Sequence, residues 1–549
     1  MKFIQIKRIA LILLILLFVL PSVAACRKND PTKDSDVSSD TASDVEDQTE
    51  SEEITESEEI TESEEITESE EIAESEEITE SEEITESEEE SLTDAEDSFE
   101  YDEEGYVKDR LSDDLDFKRQ NLNMLHWKSP TAEYVTEHNS KDIISSALYY
   151  RVLGVQDRLN CFISIQYAPG GWYERTEFIT KVYNDVMSGQ PTVDVVSHYS
   201  FAAPIGTMYG LYKNLNNAEH IDLEMPWWID DITESVEIDG KIYFATGDIA
   251  PNTVRVTYCM FFNADLLKQY KIDVGTLYDD AIDGTWTIEK LTAMVKNTYS
   301  DNGDKVKNAE DTFGIAITDI PTYDCLFYGA GMRIIDKNAD GSYSLSRDWA
   351  GVKTDNLVET YKALIYSDDC APDDNTSKAF LEGHSIFLVS NFNIAIKDLG
   401  EVPFTYGVLP IPKYDEAQTE YGTCIGPTHS LYSMTYNTSK HEMAGAVLEA
   451  LASYGYRNIT PVIFEEGLKQ RYSQDIKDAV IYDIIRDSVM FDIGRVWGDQ
   501  LNVGWRNAFG TFRNALEDRS NWMTLVAATQ GHFVEGLNTI TNTITALKH

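Results

Sequence analysis

From Asn121 to Val196 the apolar positions switch repeatedly between a two-residue and a helical period. Asn121–Trp127 alternates apolar and polar residues, as a half-buried strand does. Asp142–Arg158 places Ile143, Ala147, Tyr150 and Leu153 at helical spacing. Leu159–Gln166 alternates again and predicts a second strand. Trp172–Met187 predicts a helix, which Gly189-Gln190-Pro191 ends. Val193–Val196 is a short buried strand. Strand, helix, strand, helix, strand is the order of a parallel α/β sheet. Further along, Lys241–Ala245 and Arg255–Phe262 read as strands. Trp286–Asn297 reads as a helix capped by Thr285 or Thr287. Ser439–Tyr454 and Ser473–Ser488 read as helices, and Trp505–Leu547 as largely helical.

The first hundred residues follow neither period. Lys2, Lys7 and Arg8 precede an apolar run of 12 residues, Ile9–Leu20, which Pro21 ends. A membrane-spanning helix needs about 20 residues, so this order reads as a secretory signal peptide, residues 1–25. The sequence Val23-Ala24-Ala25-Cys26 resembles the lipobox of bacterial lipoproteins. That resemblance implies cleavage before Cys26 and lipidation of its thiol. Two or more acyl chains anchor firmly, at roughly 0.8 kcal/mol per buried CH₂. From Thr49 to Glu90 the unit Thr-Glu-Ser-Glu-Glu-Ile occurs seven times, with Ala73 and Glu90 as the only departures. One Ile in each unit of six builds no core, and dense like charge keeps a chain extended. Residues 26–104 are therefore expected to be a disordered acidic tether.

Charge separates this tether from the rest. Asn29–Glu104 carries 36 acids against Lys33 alone, a net of −35 in a chain of −53. Removing the leader's five cations as well leaves −23 for residues 105–549. That balance excludes nucleic acid as a partner, because phosphate binding needs clustered cations. The 445 residues from Gly105 to His549 suffice for two lobes. Their five cysteines, Cys161, Cys259, Cys325, Cys370 and Cys424, are widely spaced and include no Cys-x-x-Cys. Neither a cysteine metal site nor a disulfide framework is expected, with one incidental pair left open.

Seven stretches occur in order along this region. They are Gln190-Pro-Thr-Val-Asp-Val-Val, Leu211-Tyr-Lys-Asn-Leu-Asn, Asp239-Gly-Lys-Ile-Tyr-Phe-Ala, Phe261-Phe-Asn-Ala-Asp-Leu-Leu, Thr285-Trp-Thr-Ile-Glu-Lys-Leu, Phe380-Leu-Glu-Gly-His-Ser-Ile-Phe and Tyr406-Gly-Val-Leu-Pro-Ile-Pro-Lys. Together they resemble the family 1 extracellular solute-binding proteins of ABC importers, especially the sugar-binding lipoproteins. Ala264 departs from the family's usual Lys, and the likeness beyond Tyr432 is one of pattern rather than motif. The resemblance implies a two-lobed α/β fold of the periplasmic-binding-protein type II kind, with a hinge of crossing strands. It places lobe one at roughly 120–254 plus 430–475, and lobe two at roughly 255–429 plus 476–549. It implies a carbohydrate, most simply an oligosaccharide, held between the lobes of a monomer and passed to ABC permease subunits at the outer face of the bacterial cell membrane. It implies no enzyme activity, no cofactor and no metal.

In such a fold the cleft is lined by loops at the carboxyl ends of strands. Trp127 and Lys128 follow the first strand, and His198 and Tyr199, with Ser200, the third. Trp172 follows Pro169-Gly-Gly and either stacks on a sugar face or staples the next helix. Tyr323 and Asp324 are expected in a loop before Gly329. Asn391 and Asn393 follow the strand Ile386–Val389, and amides suit hydroxyl recognition because they donate and accept. Trp497 and Trp505 flank a Gly-containing stretch near the end of the chain. Pro226-Trp227-Trp228 and Trp286 read as structural. Asp336-Lys-Asn-Ala-Asp-Gly opens like a Ca²⁺ loop but has Arg347 where a bidentate Glu is required, so a β-turn is the reading. The alternatives are a surface glycan sensor without a permease and a secreted glycoside hydrolase, which would need two opposed carboxylates in the cleft. A peptide or polyamine ligand would give acidic cleft walls.

Overall fold

The computed structural model describes residues 99–549 except 136, 138–141, 318–319, 373–375, 465–475, 502–507 and 518–520. Cys26, the acidic repeats and Trp505 lie outside the described residues. Described structure begins with a turn that pairs Tyr101 with Val107, ahead of the expected start at Gly105.

Two four-stranded sheets form the cores of two lobes. In lobe one Gln120–Trp127 is the hub. It runs parallel to Cys161–Ala168 on one side and to Val195–Tyr199 on the other. Ser430–Met434 closes this sheet antiparallel to Val195–Tyr199, so a late segment of the chain completes the first lobe. In lobe two the order is Phe313–Ile317, Ser385–Asn391, Tyr258–Asn263, Tyr406–Leu409, with only the first pair parallel. Val195–Tyr199 and Tyr258–Asn263 are buried along their whole length, as strands covered on both faces must be.

The helices form where their ends are satisfied. Asp142 caps Ile143–Leu159 by accepting from the Ser145 amide, and Asn160 closes it at φ 43°. Thr287 caps Ile288–Val295 in the same way, which settles the choice between Thr285 and Thr287. Arg255 stands at the end of a short helix, Asn252–Arg255, so the expected strand starts at Tyr258 instead. Lys241–Ala245 pairs only through isolated bridges, Ile238 with Lys241 and Ala245 with Tyr432. Residues 338–342 make the turn of a small hairpin between Ile335–Lys337 and Tyr343–Leu345, with Gly341 at φ 79°, so the expected turn begins inside the first strand. The five described cysteines are buried and none forms a disulfide.

The lobes are joined where residues 246–258 and 424–430 cross, and Thr257 bridges Ile425 at the crossing. The last helix, Trp522–Ala546, also spans both lobes. Its Trp522 indole donates to the Trp349 carbonyl of lobe two. At its far end Lys241 of lobe one donates to the Thr545 carbonyl at 2.8 Å, and His549 stacks on Tyr436 at 4.2 Å. No described helix is long and apolar enough to cross a membrane.

Candidate functional site

Aromatic residues of lobe one pile up where it meets lobe two. Trp127 ends the hub strand, buried, and donates its indole N–H to Ser430 Oγ at 2.8 Å. Tyr199 ends the third strand and packs edge-on against Trp127, with ring centres 5.2 Å apart. Phe201 continues the pile at 5.8 Å from Tyr199, and Trp172 lies 5.7 Å beyond it. Gly170 lets the loop carrying Trp172 pass close by: a Cβ there would lie 2.7 Å from Phe178 and 3.0 Å from the Trp127 Cβ. Trp172 stays partly exposed, and the Arg175 guanidinium sits 4.0 Å over its ring.

Lobe two brings charge to this pile. Arg175 pairs with Asp499 at 2.6 Å and so ties the lobes together. Arg495 lies 6.0 Å from the Phe201 ring and 5.9 Å from the Tyr328 ring. It pairs with Asp324 at 3.3 Å and donates to the Ile425 carbonyl at 2.7 Å. Arg513 grips the same Asp324 through Nε at 2.6 Å. Burial pushes the Tyr199 hydroxyl well above its usual range, and nearby Arg495, Arg175 and Arg513 offset this only in part. Arg495 Nη2 at this network lacks a partner, as does the buried indole N–H of Trp497, two residues along the chain. An unpaired buried donor costs about 1–3 kcal/mol, so an added acceptor at either atom would be stabilising.

Of the residues picked from sequence, Trp127, Trp172, Tyr199 and Asp324 come together here. Trp497 is buried nearby in sequence to Arg495, with its ring 6.0 Å from Phe244 of lobe one. His198 does not join them. It lies within the strand Val195–Tyr199, not after it, and neighbouring strand residues point to opposite faces. Its ring packs on Phe178 and Tyr212 inside lobe one, and burial pushes its pKa down to about 3. Ser200 donates to the Pro427 carbonyl at 2.7 Å. Tyr323 and Asp324 lie on the helix Ile320–Gly329, not in a loop. Lys128 is exposed. Asn391 uses its side chain to cap the helix Phe392–Lys397, accepting from the Asn393 amide at 3.1 Å, and both are half-buried. Sequence reasoning missed Arg175, Phe201, Arg495, Asp499 and Arg513. Nothing in the sequence distinguishes these three arginines from the others of residues 105–549.

One group of acids brings its oxygens together as a metal site would: Asp301, Asp304 and Asp311. Asp311 there accepts the amides of Asn302 at 2.9 Å and Asn308 at 3.2 Å, which organises the loop.

No protein-family profile matches the sequence, and no curated protein does. Solved structures match at low identity. UspC of M. tuberculosis is 15% identical over 76% of this chain and 100% of its own, with a TM-score of 0.48. The cyclic alpha-maltosyl-1,6-maltose binding protein from Arthrobacter globiformis is 14% identical over 77% of this chain and 99% of its own, at 0.49. The maltose/maltodextrin-binding domain MalE from Bdellovibrio bacteriovorus, bound to maltotriose, is 15% identical over 76% and 100%, at 0.45.

Proposed function

We propose that this protein captures a carbohydrate, most simply an oligosaccharide, between its lobes and delivers it to an ABC permease. The observation that carries the reading is the aromatic pile of lobe one facing the Asp324–Arg495–Arg513 network of lobe two. Ring faces take apolar sugar faces, and the carboxylates, guanidiniums and unpaired donors take hydroxyls. The ordered series of sequence motifs supports the same reading. Closure around a ligand removes it from water and adds the second lobe's contacts. A ligand shifts the open–closed balance only by its preference for the closed form. The signal peptide and Cys26 support lipid anchoring outside the cell, with residues 26–104 as the spacer. A Cys26→Ala chain recovered in the medium, and not in membranes, is the expected outcome.

Thermal-shift and calorimetric titration of the chain with mono- and oligosaccharides tests the binding claim, with peptides as the control class. A ligand at 100 times its Kd adds about 2.7 kcal/mol of stability. A saccharide response that falls with Arg495→Lys and Trp172→Ala supports the site. Silence on every saccharide with a response to peptides overturns the carbohydrate reading. Recovery of a multi-spanning permease with the protein from membranes separates an importer component from a glycan sensor.

A further inference from the structure

A cavity of about 820 Å³ lies between the lobes and shares no residue with the aromatic pile. Thr257 and Ile425, the crossing pair, border it, and Ile425 gives its carbonyl to Arg495 of the pile. The crossing therefore stands between the cavity and the pile. Its volume is that of an ordinary small-molecule site. Lobe one supplies Trp228, Asp248 and Tyr456, and lobe two supplies Glu420, Tyr482 and Asp483. Seven acids border the cavity against one base, Arg486, which pairs with Asp487 at 3.1 Å.

Two of these acids are ion-paired, Asp231 with Arg333 at 2.7 Å and Asp487 with Arg486. Asp248 accepts a hydrogen bond from the Thr460 hydroxyl, and among the described residues no cation lies within ion-pair distance of it, of Glu420 or of Asp483. Burial pushes the Asp248 carboxyl up to about 6, against the Thr460 hydrogen bond and the Arg486 charge. A charged carboxylate held in such a place requires a counter-charge. A single metal ion does not meet this need, because the acids do not converge. Among the described residues the one converging group is Asp301, Asp304 and Asp311, none of which borders the cavity. Spaced carboxylates between aromatic walls match spaced ammonium groups on an apolar stem, since ring faces attract cations at about 0.5–2 kcal/mol each.

We propose that this cavity is a second ligand site that takes a linear polyamine, with ammonium groups against Asp248, Glu420 and Asp483 and methylenes against Trp228, Tyr456 and Tyr482. The site is independent of the carbohydrate reading, which concerns other residues.

The test is spermidine titration of the full chain at about 0.15 M ionic strength, followed by thermal melting and calorimetry. Amines also associate with the repeated glutamates, but binding that does not distinguish folded from unfolded chain leaves the melting midpoint in place. A saturable rise in the midpoint with spermidine, and no such rise with Mg²⁺, is expected. Asp248→Asn and the surface pair Glu420→Gln with Asp483→Asn should each weaken binding about tenfold or more. If Asp248→Asn fails to fold, the surface pair decides. No saturable shift, an equal shift with Mg²⁺, or an unchanged shift in the surface pair overturns the proposal. Arg495→Lys, which alters the aromatic pile, should leave the spermidine shift intact. A saccharide response lost there alone, with spermidine binding kept, tells the two sites apart.

Discussion

Glu449 makes the sharpest prediction about stability. It lies on the buried helix His441–Tyr454 and accepts the indole N–H groups of Trp227 and Trp228, each at 3.0 Å. Those indoles form part of the wall of the polyamine cavity. Burial pushes the carboxyl up from 4.5 to about 8, and the hydrogen bonds from Trp228, the Asp222 amide and Trp227 only partly oppose it. A raised folded-state pKa means that folding takes up a proton. The associated stability is complete below pH 4.5 and is lost as pH rises through about 8. At about 1.4 kcal/mol per unit, the full span is about 5 kcal/mol as an upper bound. Glu449→Gln cannot ionise. Its amide oxygen serves one indole, and its NH₂ faces the other donor. Leaving one buried indole unpaired costs about 1–3 kcal/mol. The variant should therefore be less stable than the wild type at pH 5. Its deficit should shrink, and then reverse, by pH 9. Urea melts of both proteins from pH 5 to pH 9 give the difference directly, and Asp248 cancels because it titrates in both. A difference that stays constant with pH refutes the reasoning.

Three further outcomes are expected. Gly247 sits at φ 156°, and a Cβ there would lie 2.0 Å from the Trp227 carbonyl oxygen; Gly247→Ala should cost about 3 kcal/mol or more in a denaturant melt. Trp497→Phe removes an indole donor that has no partner, so its melting midpoint should move little while saccharide affinity drops about tenfold. Asp109 resists burial through hydrogen bonds from Arg158 and Ser453, which bring its pKa down from 3.8 to about 2. It contributes stability above pH 3.8 that is lost as pH falls through about 2, so Asp109→Asn should flatten acid unfolding below pH 4 by about 2 kcal/mol.

Most of the fold was legible because periodicity reports burial. The hub strand, its flanking helices and the third strand all appear close to where the pattern puts them. Arg255 broke the pattern because a short helix ahead of Tyr258–Asn263 is buried on all sides and carries no period. Lys241–Ala245 alternates like a strand, yet only Ala245 finds a sheet partner, Tyr432. The site was less legible. Trp127 and Tyr199 were picked as strand ends, and the structure packs these two strand ends against each other. His198 was misplaced by a single residue of register, enough to turn its ring into the lobe. Asp324 was read as a loop residue, although a helix carries it. The arginines could not be found at all, because Arg175 and Asp499 are 324 positions apart and only folding makes them a pair.

The lobes are held together at several points that contain no ligand. Arg175–Asp499 bridges them at the aromatic pile, and Arg333–Asp231 bridges them at 2.7 Å near the hairpin Ile335–Leu345. The last helix reaches from Trp349 of lobe two to Tyr436 of lobe one. Partly exposed ion pairs contribute about 0–1 kcal/mol each, so these bridges bias closure without fixing it. On the proposed function, a ligand held across the pile would therefore have only a modest balance to shift. The cavity beyond the crossing is lined by both lobes as well, and any lobe movement changes its shape. An occupant that fits only the closed arrangement must therefore raise affinity at the pile, and the pile's ligand must raise affinity at the cavity by the same factor.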